Sequence, residues 1–252
     1  MSGMSRRKVA LVTGSGKRRV GSVVAETLAE RGYSLVVHYN RSAEDAAEIV
    51  DRMRSHGVEA VAIQADLSRD SEVERLVRQA TELHGRLDVL VNTAAIWEPK
   101  PLEQVTGADV RRHFEINTLG TFLCSQHVGL LMVRQPDGGS IITIADWAIE
   151  RPYLNYVAYF TSKGAIPTLT RTLAVELGSR NPHVRVNCIL PGPVLLPADM
   201  PQAERDEVIE STLVKREGHP RHVAGAVLFL VENDFVTGAC VPVDGGRTIY
   251  TP

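Results

Sequence analysis

KVALVTGSGKRRVG, residues 8–21, is the stretch on which the fold turns. Lys8 to Thr13 form a short β-branched apolar run that stops at Gly14, the pattern of a strand buried on both faces. Val20, Val23, Val24 and Leu28 then recur at helical spacing, and Gly32 follows the last turn as a C-cap. The alternation continues outward. YSLVVHY (33–39) reads as a strand, Ala43 to His56 as a helix, Val58 to Ala65 as a strand and Ser71 to His84 as a helix. LDVLVNTA (87–94) precedes a long helix from about Ala108 to Val133, and SIITIA (140–145) and VRVNCIL (184–190) flank a helix from about Asn155 to Leu177. A helix at about Pro220 to Val231 and the strand ACVPVD (239–244) come last.

Strands separated by helices imply parallel neighbours joined by right-handed crossovers. The expected fold is α/β, a single-domain doubly wound sheet of Rossmann type with about seven strands and helices on both faces. Ligands of such sheets sit at the carboxyl ends of the strands, where the strand order reverses.

The composition is consistent with one domain. At 252 residues and 44% hydrophobic the chain can bury a large core, and no shift of composition divides residues 8–252. Residues 1–7, with the basic run Ser5-Arg6-Arg7-Lys8, read as a solvated leader. A net charge of -2, from 28 basic and 30 acidic residues, gives no field favouring nucleic acid or an anionic membrane. Cys124, Cys188 and Cys240 are far apart and lack CxxC spacing, and the eight histidines form no HxxxH pair, so neither disulfides nor a metal site are expected. No apolar stretch approaches the about 20 residues of a membrane span and no signal peptide is read, so a cytosolic protein is expected.

The turn TGSGKRRVG, Thr13 to Gly21, lies where glycines let backbone approach a pyrophosphate and a helix N-terminus offers free N–H groups. Gly14, Ser15, Lys17, Arg18, Arg19, Val20 and Gly21 are the candidates, although a tight strand-to-helix turn needs glycine in any case. Which of the three cations meets an anion is open. At the end of the second strand, HYNRS (His38 to Ser42) has no acid to accept from a ribose 2′-hydroxyl, whereas Arg41 can pair with a 2′-phosphate and Ser42 can donate to it. With His38 and Asn40 beside them, these residues favour NADPH over NADH. Asp66 and Leu67 end the third strand near the expected adenine position, and Asn92 and Ala94 end the fourth, where small residues let the chain pass close to a ribose.

Tyr159 and Lys163 are one helical turn apart and project from one face. Asp146 ends the preceding strand, and Asn117 lies within the long helix before it. Hydride delivery to C=O or C=N builds negative charge that must be protonated. Tyr159 suits that task if Lys163 lowers its pKa from about 10.

Taken together, the glycine-rich turn, Asn92, Asn117, Tyr159-x-x-x-Lys163, Pro191-Gly192 and VDGG (243–246) resemble the short-chain dehydrogenase/reductase family over almost the whole chain after the leader. Within it, the Arg-bearing turn, HYNRS, the tail FVTGACVPVDGGR and Asp146 look most like pteridine reductases and dihydromonapterin reductases. The resemblance implies that Asp146 replaces the usual catalytic serine, either protonated or orienting Tyr159 and relaying a proton to a ring nitrogen. It implies that Asn117 supports a water relay, that Pro191 and Gly192 touch the cofactor, and that Trp97 stacks on a pterin, though Trp97 could also pack beneath a loop. A homotetramer or homodimer through the long helices near 108–133 and 155–177 and the C-terminal strand is implied too. The segment from about Leu195 to Glu217 reads as a substrate lid. The expected function is an NADPH-dependent reductase of a pterin or dihydropterin. A 3-oxoacyl thioester or other ketone reductase and a non-catalytic NADPH sensor are the alternatives.

This sequence departs from those relatives in a first turn one residue longer and in Thr93 and Ala95. Pro167, inside the helix of Tyr159 and Lys163, is expected to kink it, because its ring leaves the Lys163 carbonyl without an N–H partner.

Overall fold

The computed structural model describes residues 7–250, so the expected leader lies, apart from Arg7, outside the described residues. The strands are β1 (Val9–Thr13), β2 (Ser34–Tyr39), β3 (Ala60–Gln64), β4 (Val89–Asn92), β5 (Gly139–Ile144), β6 (Val184–Pro191) and β7 (Cys240–Val243). Between them run α1 (Val20–Glu30), α2 (Ala43–Ser55), α3 (Asp70–His84), α4 (Gly107–His113), α5 (Gly120–Val133), α6 (Val157–Gly178), α7 (Gln202–Glu210) and α8 (Pro220–Glu232). All seven strands are parallel, in the order β3-β2-β1-β4-β5-β6-β7.

Alternation along β1 divides the core. Ala10 and Val12 pack with Val24 and Leu28 of α1, Ile49 of α2 and Val227 of α8. Val9 and Leu11 pack on the other face with Leu76 of α3, Val128 of α5 and Leu177 of α6. A strand covered on both sides must be apolar at successive positions, which is why the KVALVT run marks a central strand. The chain leaves β1 for β2 on one side and later returns to β4 on the other, so the strand order reverses between β1 and β4 and opens a crevice at their carboxyl ends.

Three elements differ from the sequence reading. The long helix expected from about Ala108 to Val133 is α4 and α5 joined through a π-helical stretch, Phe114–Leu119. π turns are rare and cluster at functional sites. The α4–α5 run, Gly107–Val133, is long and apolar enough to cross a membrane by length and composition, contrary to the expectation that no stretch comes close. More than half of its apolar window is buried in the protein, where Leu123, Val128 and Met132 form part of the core. The kink expected at Pro167 brings no interruption, because α6 continues through this buried proline to Gly178. The segment expected to form a lid carries the exposed helix α7, and Leu196 N–H and Arg205 are both held by Glu217 at its end.

One imidazole ties the ends of the first three strands. His38 Nδ1 accepts from the Gly14 N–H at 2.9 Å, and His38 Nε2 lies 3.0 Å from the Ala65 carbonyl oxygen. Because Nδ1 accepts, the proton is on Nε2. Burial holds this ring neutral by lowering its pKa to about 4. The loop it grips is strained in a way only glycine tolerates: Gly14 has φ +66°, and a Cβ there would stand 2.7 Å from Ala94 Cα.

Gly14→Ala is expected to cost about 1–3 kcal/mol of stability by urea unfolding. A His whose folded pKa lies below its ordinary value of about 6.5 favours folding while neutral, so its contribution is complete above that pH and is lost on acidification towards about 4. Wild-type protein is expected to lose up to about 3 kcal/mol across this window relative to His38→Gln, measured by urea unfolding at successive pH values.

Candidate active site

The crevice at the reversal point is a cleft of about 940 Å³. Its nucleotide half is lined by Gly14, Lys17, Arg19, Val20, Gly21, His38, Asn40, Arg41, Ser42, Asp66, Leu67 and Ala94, and its other half by Asp146, Tyr159, Lys163, Pro191, Gly192 and Trp97. Residues as far apart in the chain as Gly14 and Gly192 meet here because the loops and the start of α6 that carry them follow the carboxyl ends of strands.

The turn after β1 answers the question of which cations face the cleft. Lys17 and Arg19 line it, and both are exposed. Arg18 does not: it borders a separate groove beside α1 and lies 3.9 Å from Glu48, with both side chains mostly in water. Arg19 caps α1, where its N–H donates to Ser22 Oγ at 3.2 Å and its carbonyl accepts from that hydroxyl at 2.9 Å. The first turn of α1 carries no acid, so the helix N-terminus, two cations and a close-packed glycine backbone form a cradle suited to a pyrophosphate. Arg41 and Ser42 stand at the end of β2. Asp66, at the end of β3, accepts from Ser68 N–H and Oγ at 3.1 and 2.7 Å.

Three more predicted contacts, besides Arg18, lie outside the cleft. Ser15 is fully buried and donates to the Val12 carbonyl at 2.7 Å, shaping the turn from beneath. Asn92 is buried and donates to Ser125 Oγ at 3.0 Å, which anchors the end of β4 to α5. Asn117 has no exposed surface. Its Oδ1 accepts from Ile96 N–H at 2.8 Å, and its Nδ2 donates to the Ile96 carbonyl and to Ser162 Oγ, both at 3.0 Å. The Asn117 side-chain amide therefore bonds inside the protein and does not line the cleft. Asn117 positions the π turn, the Ile96 loop and α6 relative to one another. Thr118 supports the same junction by donating to the Ser162 carbonyl at 2.8 Å.

At the reactive end, Tyr159 Oη donates to Asp146 Oδ2 at 2.7 Å, while Asp146 Oδ1 accepts from Ala148 N–H at 2.8 Å. Lys163 Nζ is turned to the Ile144 carbonyl at 2.7 Å. Burial and then the Asp146 charge push the Tyr159 phenol well above its ordinary pKa. Burial raises the Asp146 carboxyl and lowers Lys163 to about 8, with Asp146 acting against that loss. The expected lowering of Tyr159 by Lys163 is thus reversed: the nearest charge to the phenol is an acid, and the phenol is held as a proton donor.

Sequence reading missed the aromatic wall beside this pair. Trp97 stacks on Tyr156, with ring centres 4.9 Å apart and planes within 13°, and its indole N–H donates to Tyr153 Oη at 3.3 Å. Tyr153 and Tyr156 meet Phe160 edge-on or tilted, and Tyr159 closes the row. Trp97 is 45% exposed, so its outer face is open to the cleft rather than packed beneath a loop. The signal lay in Tyr153, Tyr156 and Tyr159, three residues apart. The tail after Gly246 also returns to the site: Arg151 donates to the Arg247 and Tyr250 carbonyls, and the Arg247 guanidinium lies 4.4 Å over the Trp147 ring.

From residue 15 to residue 248 the chain matches the family described as enoyl-(acyl carrier protein) reductase. It is 35% identical over 257 residues to a hydroxynaphthalene reductase-like protein of Metarhizium brunneum, covering 95% of this chain and 94% of that protein. The 7alpha-hydroxysteroid dehydrogenase of Escherichia coli is 35% identical over 245 residues, covering 95% and 93%. Among solved structures, a blue fluorescent protein from a metagenomic library in complex with NADPH superposes with a TM-score of 0.87 at 35% identity, over 95% of this chain and 97% of that one. With a tyrosine–lysine pair facing a dinucleotide-type cleft and relatives matching nearly end to end, this chain belongs to the short-chain dehydrogenase/reductase family of oxidoreductases.

Proposed function

We propose that this oxidoreductase is an NADPH-dependent reductase of a flat bicyclic ring, a pterin or dihydropterin, acting at a C=N bond. The observation that carries the reading is the 2.7 Å bond between Tyr159 and Asp146 beside the open face of Trp97. A planar heteroaromatic gains from an aromatic wall, since offset stacking adds about 0.5–1.5 kcal/mol to area burial. NADPH is supported by Lys17, Arg19, Arg41 and Ser42 along the cleft, by the lack of an acid from His38 to Ser42, and by the NADPH held in the related structure.

When bound, the reduced nicotinamide supplies the hydride. The chain's own residues supply the proton. Tyr159 Oη gives its hydrogen to the ring nitrogen as charge builds there, and the protonated Asp146 carboxyl, favoured by burial, returns one to the phenol oxygen across their hydrogen bond. Asp146 is only partly buried, so it can recover its proton from solvent. Once ionised, the same carboxyl would oppose an alkoxide forming beside it, which disfavours simple ketones. Lys163 keeps a buried positive charge below the site and releases the Ile144 carbonyl if a ribose hydroxyl takes its place.

Carbonyl reduction is the second reading, favoured by relatives named for hydroxysteroid and hydroxynaphthalene chemistry. Self-association as a homotetramer or homodimer is supported by the apolar groove where Phe114, Leu119 and Phe122 meet Leu169 of α6, and sedimentation velocity reads it directly.

NADPH consumption is expected with dihydrobiopterin and not with an acetoacetyl thioester; preference for the thioester overturns the substrate assignment. Tyr159→Phe is expected to lower turnover by roughly 100- to 10,000-fold, the usual weight of a general acid. NADPH binding with no Tyr159-dependent turnover on any substrate would favour a sensor. The wild-type rate is expected to fall with rising pH as Asp146 ionises, above the ordinary carboxylate range, and Asp146→Asn to lack that descent in a pH–rate profile.

A further inference from the structure

We infer that His38 is a positioning residue for the adenosine half of the cofactor, clamping the glycine turn to the end of β3 through its two ring nitrogens. The inference rests on the dinucleotide reading of the cleft.

His38 was singled out in the sequence as a direct cofactor contact, yet its side chain is 2% exposed and both ring nitrogens are already taken by backbone. Nδ1 holds the Gly14 N–H, and the protonated Nε2 holds the Ala65 carbonyl. Its own backbone carbonyl accepts from Gly16 N–H at 3.2 Å. One residue of β2 therefore fixes two positions of the turn after β1, and the strand end that leads into Asp66. These are the segments that would flank a pyrophosphate and an adenine.

The clamp matters because the turn is not held by regular structure. Gly14 is in the left-handed region just past the end of β1, and the Gly14 and Gly16 N–H groups both find their acceptors on His38. A turn free to sample other conformations would present its N–H groups to an anion only part of the time, and apparent affinity falls by the fraction of molecules in the competent arrangement. A side chain that accepts from Gly14 and donates to Ala65 at once needs an acceptor and a donor on opposite edges of a rigid ring. Neutral imidazole provides both. Asparagine offers an acceptor near the Nδ1 position, and glutamine offers a donor near the Nε2 position, so the two substitutions separate the bonds.

The test is calorimetric titration of NADPH and of adenosine 2′,5′-bisphosphate, which carries only the adenosine half, into the full-length wild type, His38→Asn, His38→Gln and His38→Leu, with the melting temperature of each. His38→Gln is expected to raise Kd tenfold or more and by a similar factor for both probes. His38→Asn is expected to recover most of the loss. If His38→Leu does not fold, the two polar variants still decide the matter. Unchanged affinity in His38→Gln overturns the clamp. So does a loss for NADPH that the adenosine probe does not share, or a loss in both polar variants that follows melting temperature alone. Wild-type protein that binds neither probe overturns the NADPH reading instead, and the clamp is then decided by the same titrations with NADH and 5′-AMP.

Discussion

A buried phenol bonded to a carboxyl is the constraint around which the site is organised. Tyr159 and Asp146 come from α6 and from the end of β5, and their 2.7 Å separation requires both elements to be fixed relative to each other. The contact also decides the electrostatics. Lys163 is one turn away, yet burial and Asp146 govern the phenol, so the cation next to it in sequence is not the charge it feels most. A group raised in this way cannot rest as phenolate, and any chemistry it performs starts from the protonated form.

That placement depends on buried polar groups behind the cleft wall. Ser162 Oγ donates to the Tyr159 carbonyl at 2.6 Å and accepts from Asn117, while Thr118 takes the Ser162 carbonyl. Asn117 in turn holds both backbone groups of Ile96, so α6, the π turn and the loop after β4 share one junction. A regular α-helix through 114–119 would direct these side chains differently, which gives the π turn a reason to exist. Each group in the junction is satisfied, and a satisfied buried network favours one arrangement over its neighbours because every alternative leaves a polar atom unpaired.

The fold was legible because a parallel sheet covered on both faces writes continuous apolar runs into its strands, as in Val9–Thr13 and Ser34–Tyr39, with glycines where the chain turns. Residue type plus strand end located most of the cleft, including Lys17, Arg19, Arg41, Asp146, Tyr159 and Lys163. What sequence could not give was direction. Ser15, Asn92 and Asn117 are polar residues beside the cleft whose side chains turn inward, Ser15 and Asn117 to backbone groups and Asn92 to the Ser125 hydroxyl. Arg18 has neighbours on both sides that line the cleft while it points elsewhere. Nothing in residue identity separates these cases from true contacts, since that depends on rotation about one or two bonds. The π turn was hidden for the same reason: its residues suit an α-helix, and the junction with Ser162 selects the wider form.

Lys163 shows how an inward-turned group can still belong to the chemistry. Its ammonium is almost wholly buried, and burial lowers its pKa to about 8, so it holds its proton less firmly than a surface lysine. A buried ammonium needs acceptors, and the Ile144 carbonyl supplies one. Two of its three hydrogens are then left for other partners, and Asp146, when ionised, supplies an opposing charge that favours the ammonium. Ionised, the carboxyl acts on both neighbours at once, holding the phenol's proton in place and helping the amine keep its own; protonated, as burial favours, it is the donor that resupplies the phenol. Replacing such an acid by a neutral hydroxyl would release both effects together, so the acid cannot be read as a local variation on a serine; it changes the protonation state of the whole triad.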